Sequence, residues 1–182
     1  MYKLLFSETI NYSLTDNAQP VHLNKIFNTD YDCYQIFFSV TGNQNTYKVL
    51  RYLDENDAEI TGTEMSHNSN FFTSPSSVTE SDAASSSSGG FLAYQPGLRN
   101  QLQMGKAVMT IWHPADTTMK TRSYLENMTD HYSSTPYDTF NVTTTCNNVA
   151  ATDVRGLSFR AYGIGEDIES VDIQVYGVEL WV

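Results

Sequence analysis

Along residues 170–182 apolar and polar side chains alternate with a period of two, Val171, Ile173 and Val175 on one face and Asp172, Gln174 and Tyr176 on the other. Only an extended strand with one buried face uses that period; a helix would bring back its apolar residues every three to four positions. Gly177 reads as a bulge that resets the phase. Beyond it Val178, Leu180 and Val182 become the apolar set and Trp181 the outward one. One such strand has nowhere to bury its face, so the segment demands a sheet and a second layer packed on it.

The same pattern recurs along the chain. Tyr34, Ile36, Phe38 and Val40 alternate with Gln35, Phe37 and Ser39, and the run ends at Thr41, Gly42 and Asn43, a turn sequence. Residues 47–53 form the next strand, so a hairpin joining the two is expected, with Asp54, Glu55, Asn56 and Asp57 as the tip that follows. Residues 105–113 read as a central strand stopped by Pro114, with Ala107, Met109 and Ile111 against Val108, Thr110 and Trp112. Residues 121–129 read as a strand carrying Tyr124 and Met128 inward, followed by strands at 139–145 and 156–162. The total is nine or ten strands and no helix of three turns.

The 12 Tyr and 9 Phe suit pleated surfaces, which favours strands throughout. The expected fold is therefore all-β, a two-sheet antiparallel β-sandwich. Residues 1–19 form an N-terminal arm or first strand, and 20–182 a single sandwich domain, a size that supports one core without staples. Ten of the 25 residues in 66–90 are serine, too few apolar groups to offset the cost of ordering the backbone. That segment is expected as a long loop inserted in the sandwich.

The formal net charge of −11 argues against nucleic acid, which needs a basic face, and against anionic membrane surfaces. No apolar run reaches the roughly 20 residues of a membrane span, and no signal-peptide core opens the chain, so synthesis in a cytoplasm without classical export is expected. Between residues 52 and 98 there are seven acids and no Lys or Arg. A cation site in the acidic region 54–64 therefore has to be weighed. The calcium-loop pattern fails at Ala58 and Glu59, where a ligand and a glycine belong, so a solvated tip is the better reading. Cys33 and Cys146 have no metal spacing and are read as two buried thiols, a cross-link between them being geometrically open.

No catalytic centre, metal site or cofactor site is expected. The chain lacks a nucleophile elbow, a zinc-protease helix, a phosphate loop and a dinucleotide fingerprint, and its histidines (His22, His67, His113, His131) are scattered. Aromatic side chains are the remaining candidates. Trp112, Tyr132 and Tyr137 offer flat faces on which a sugar could stack. Trp181 and Leu180 near the C-terminus, and the pair Phe71 and Phe72, are candidates for contact with a partner subunit.

Three segments in order carry a family likeness: Tyr31-Asp32-Cys33-Tyr34-Gln35-Ile36, Gly156-Leu157-Ser158-Phe159, and Asp172-Ile173-Gln174-Val175-Tyr176-Gly177-Val178. This order resembles small structural proteins of tailed phages of marine bacteria, including cyanophages; this chain continues past the pattern through Glu179, Leu180, Trp181 and Val182. The resemblance implies a jelly-roll-like virion component, either a capsid decoration or cement protein or part of a head or tail fibre. It implies no enzyme activity, other virion proteins as partners, and a homo-oligomer, with a trimer the commonest arrangement. The alternative is a carbohydrate-binding, receptor-recognition module of a phage appendage. On the leading reading, removal of residues 1–19 is expected to abolish docking on the particle without unfolding the domain.

Overall fold

The computed structural model describes residues 1–11, 20–42, 47–60, 65–73, 77–81, 91–93, 105–131, 138–148, 153–162 and 168–179. Within them twelve strands and no helix occur: β1 (Tyr2–Asn11), β2 (Val21–Leu23), β3 (Cys33–Gly42), β4 (Tyr47–Leu53), β5 (Met65–Thr73), β6 (Ser77–Ser81), β7 (Phe91–Ala93), β8 (Gly105–Trp112), β9 (Arg122–His131), β10 (Asp138–Asn148), β11 (Gly156–Tyr162) and β12 (Ile168–Val178). They form an eight-stranded sheet of order β1-β12-β3-β8-β9-β10-β5-β6 and a four-stranded sheet of order β2-β11-β4-β7. The expected all-β two-sheet sandwich is what the chain forms.

The order has a simple generator. Eight strands make four antiparallel pairs, β1·β12, β2·β11, β3·β8 and β4·β7, the rungs of one long ribbon that runs out through β1 to β4 and returns through β7 to β12. Winding the ribbon sends alternate rungs to opposite sheets and brings β3 beside β12 and β4 beside β11. This is the jelly-roll arrangement. Two excursions leave it, β5–β6 between β4 and β7 and β9–β10 between β8 and β11. They meet through β10·β5 and widen the larger sheet.

Winding overturns the expected hairpin. β3 and β4 belong to different sheets and are not paired, because in a rolled ribbon the connection between consecutive rungs crosses the sandwich. The serine-rich stretch is not simply a loop either, since β5 and β6 fall within it, with β5 paired along its whole length to β10. Hydrogen bonding to a neighbour already in the sheet compensates for a composition that could not order alone.

Between the sheets lies a single apolar core. Tyr34, Ile36, Phe38, Met109, Ile111, Val171, Ile173 and Val175 from the larger sheet meet Val21, Leu23, Leu50, Tyr52, Leu157 and Phe159 from the smaller. Phe38 and Phe159 touch edge to face across the gap, centroids 5.3 Å apart. Each such fully buried side chain contributes about 1.5–3 kcal/mol of transfer free energy. A polar link crosses the core where the Tyr52 hydroxyl lies 2.5 Å from Ser123 Oγ.

Two phase assignments need correction. On β12 the pairing with β1 and with β3 runs through Gly177 without a break, and the irregularities lie instead between Leu4 and Phe6 and between Ile168 and Ser170. Gly177 is glycine for space: a Cβ there would stand 2.7 Å from the Tyr31 ring. Val171, Ile173, Val175 and Gly177 therefore form one inward row, and Val178 belongs to the outer face. On β9 the inward residues are Ser123 and Leu125, while Tyr124 is 38% exposed. Of the two readings of residues 1–19, arm or first strand, the described part is a strand. Tyr2–Asn11 pairs with β12 over its length, and Leu5, Phe6 and Ile10 pack against the core, so removal of 1–19 would destabilise the domain.

Candidate functional site

The outer face of the larger sheet is where the structure gathers candidate residues. Register alone puts Tyr2, Val178, Cys33, Trp112 and Arg122 in one row across β1, β12, β3, β8 and β9. The next row holds Leu4, Tyr176, Gln35, Thr110 and Tyr124, and the one beyond contains Gln174, Phe37, Val108 and Glu126. Several of these are apolar yet open to solvent: Tyr2 is 61%, Leu4 51% and Phe37 39% exposed. Phe37 and Tyr176 meet edge to face with centroids 5.8 Å apart.

At one end of that face the β8–β9 connection and the strand ends beside it line an open hollow of about 800 Å³. Its walls include Trp112, His113, Met119, Lys120, Arg122 and Tyr124. The loop is built, not slack. The chain turns sharply at His113, whose φ is 52°, and its N–H donates to the Asp32 carbonyl at 2.7 Å. The Asp116 carboxylate then accepts from the Thr118 N–H and hydroxyl and the Met119 N–H, at 2.7, 2.6 and 3.2 Å. Those bonds, the Thr118 side chain first, hold the Asp116 carboxyl below the usual aspartate range. Thr121 closes the base of the loop by donating to the His113 carbonyl at 3.3 Å.

The smaller sheet carries a different cluster on its outer side. His22, Ser158 and Arg51 stand abreast on β2, β11 and β4. Glu59, from the segment after β4, folds over them, accepting from Ser158 Oγ at 2.7 Å and from Arg51, with His22 Nε2 3.7 Å away. Arg51 and Glu59 side chains are only 12% and 11% exposed. A serine, a histidine and a carboxylate are thus close together, but Ser158 is fully buried and donates to the carboxylate instead of to the imidazole. That geometry cannot activate a hydroxyl nucleophile; it fastens a loop.

The acidic tip before Glu59 bonds in part to itself, while Asp57 Oδ1 is buried with no hydrogen-bond partner among the described residues. Asp54 Oδ1 accepts from the N–H groups of Asn56 and Ala58 at 2.8 and 2.9 Å, and Asp57 takes the left-handed conformation, φ 64°. Among the described residues no group of three His, Cys, Asp or Glu side chains could hold a metal ion. Cys33 is a free, buried thiol, its pKa raised by burial and by Asp32. No helix among the described residues is long and apolar enough to cross a membrane.

Of the sequence-derived candidates, Trp112 lines the hollow. Phe71 and Phe72 stand on β5 opposite Val142 and Asn141, and their side chains lie outside the described part of the structure. Tyr132, Tyr137, Leu180 and Trp181 lie outside the described residues altogether. The hollow adds Lys120, Arg122 and Tyr124, which sequence reading passed over. The opposite phase for residues 121–129 would have turned Arg122 and Tyr124 outward beside Trp112. Comparison of the chain with protein-family models, with curated proteins and with solved structures found no match.

Proposed function

We propose that the chain is a non-catalytic structural protein of a bacteriophage particle, docking as a homo-oligomer on other virion proteins. The observation that carries this reading is the exposed apolar face of the larger sheet, where Tyr2, Leu4, Phe37 and Tyr176 lie together on three adjacent strands. The jelly roll supports it, being an architecture shared by viral capsid and lectin domains. The likeness of the three sequence segments to phage structural proteins supplies the word virion.

Mass spectrometry of purified phage particles tests the proposal directly. The expected result is the chain among the particle proteins, in hundreds of copies for a capsid decoration or a few to a dozen for a tail component. Its absence from intact particles would sink the reading.

A further inference from the structure

The hollow beside the β8–β9 loop differs from the rest of the apolar face in its charge. The whole chain has 10 Lys and Arg against 21 Asp and Glu, yet two of those cations, Lys120 and Arg122, line this hollow, with His113 beside them. No Asp or Glu is among the described lining residues. Two carboxylates approach His113 at its edge: Asp116, which is hydrogen-bonded within its own loop, and Asp32, 4.0 Å from His113 Nδ1. Glu126 is four residues along β9 from Arg122. Trp112 and Tyr124 supply aromatic surface in the same walls. The volume falls within the ~300–1,000 Å³ typical of small-ligand sites.

We propose that this hollow binds an acidic carbohydrate, a sugar ring lying against Trp112 or Tyr124 and its carboxylate or sulfate paired with Lys120 and Arg122. Flat aromatic faces match the C–H faces of pyranose rings, and the two exposed cations select the charged sugar over the neutral one. A nucleic acid would need a basic groove tracking successive phosphates, whereas Lys120 and Arg122 are the two Lys/Arg side chains in this lining, enough for a single acidic group. An acidic peptide cannot add as a strand here, since β8 and β9 are both paired on each side. The inference does not depend on the virion reading: particle mass spectrometry and sugar binding can fail separately.

Calorimetric titration of the full chain with trigalacturonate, a heparin tetrasaccharide, neutral maltotriose and triglutamate tests it. At least one acidic sugar should bind, maltotriose about tenfold more weakly or not at all, with affinity falling as salt rises. Trp112→Ala should weaken binding about tenfold. Lys120→Glu, at an exposed loop position that leaves the core untouched, should do the same and keeps the test valid if the tryptophan variant misfolds. Heat from neither acidic sugar, equal affinity for maltotriose, or unchanged binding in Lys120→Glu overturns the proposal. Triglutamate binding as tight as the sugars overturns it in favour of an acidic protein partner.

Discussion

The two outward faces of this sandwich solve the same problem in opposite ways. Every sheet in a two-layer fold has one face in the core and one to dispose of. At the row His22, Ser158 and Arg51 the smaller sheet covers its outer side with its own chain: Glu59 lies over β4, β11 and β2 and is tied to Arg51 and Ser158. The larger sheet leaves Tyr2, Leu4, Phe37 and Tyr124 between 38% and 61% exposed. A polar surface is closed by internal bonds, while an apolar one stays open. The partner contact proposed above would fall on the open face.

That contrast can be broken experimentally. Glu59→Ala takes from the smaller sheet the acceptor shared by Arg51 and Ser158, and about 3 kcal/mol of stability should go with it in denaturant unfolding. A loss below about 0.5 kcal/mol would mean the loop is not fastened there. Tyr52→Phe deletes the hydroxyl that bonds Ser123 between the sheets; about 1 kcal/mol is expected, with the outer faces unaffected. Phe37→Ser on the open face should change stability by no more than about 0.5 kcal/mol. It should instead reduce self-association measured by light scattering; unchanged association would remove Phe37 from the interface.

The smallest effect concerns the loop beside the hollow. Asp116 has a lowered pKa in the folded chain, so its contribution to stability is present above the ordinary aspartate range and is lost as pH falls through that lowered value. Opening of the loop, followed by amide hydrogen exchange at Thr118 and Met119 after correction for intrinsic rates, should rise only in that acidic range. Opening that already rises between pH 7 and 5 would show that Asp116 does not hold the loop.

How far the sequence could be read depends on which kind of contact is at stake. Strands such as β8 and β11 were visible because alternation is a local property, but on β8 both faces are partly apolar, and the fold chose Ala107, Met109 and Ile111 for the core. On β9 the alternation was visible but its phase was not. Tyr124 and Leu125 are both apolar enough to face a core, and burial chose Leu125. At Gly177 a missing side chain suggested a bulge, whereas the reason for glycine is the Tyr31 ring lying over it from a distant turn. The Glu59 cluster draws on three strands far apart in the chain, and no short motif announces it.

The closing segment with which the reading began shows the division most clearly. Its alternation was enough to determine that residues 170–176 form a strand, which of its faces is apolar, and that a second layer must cover that face. Tertiary structure alone decided its neighbours, β1 and β3, and carried its inward row through Gly177. Period two is written in each residue's own chemistry. Strand order and register are settled only when the ribbon is wound and both sheets must bury their apolar faces against each other.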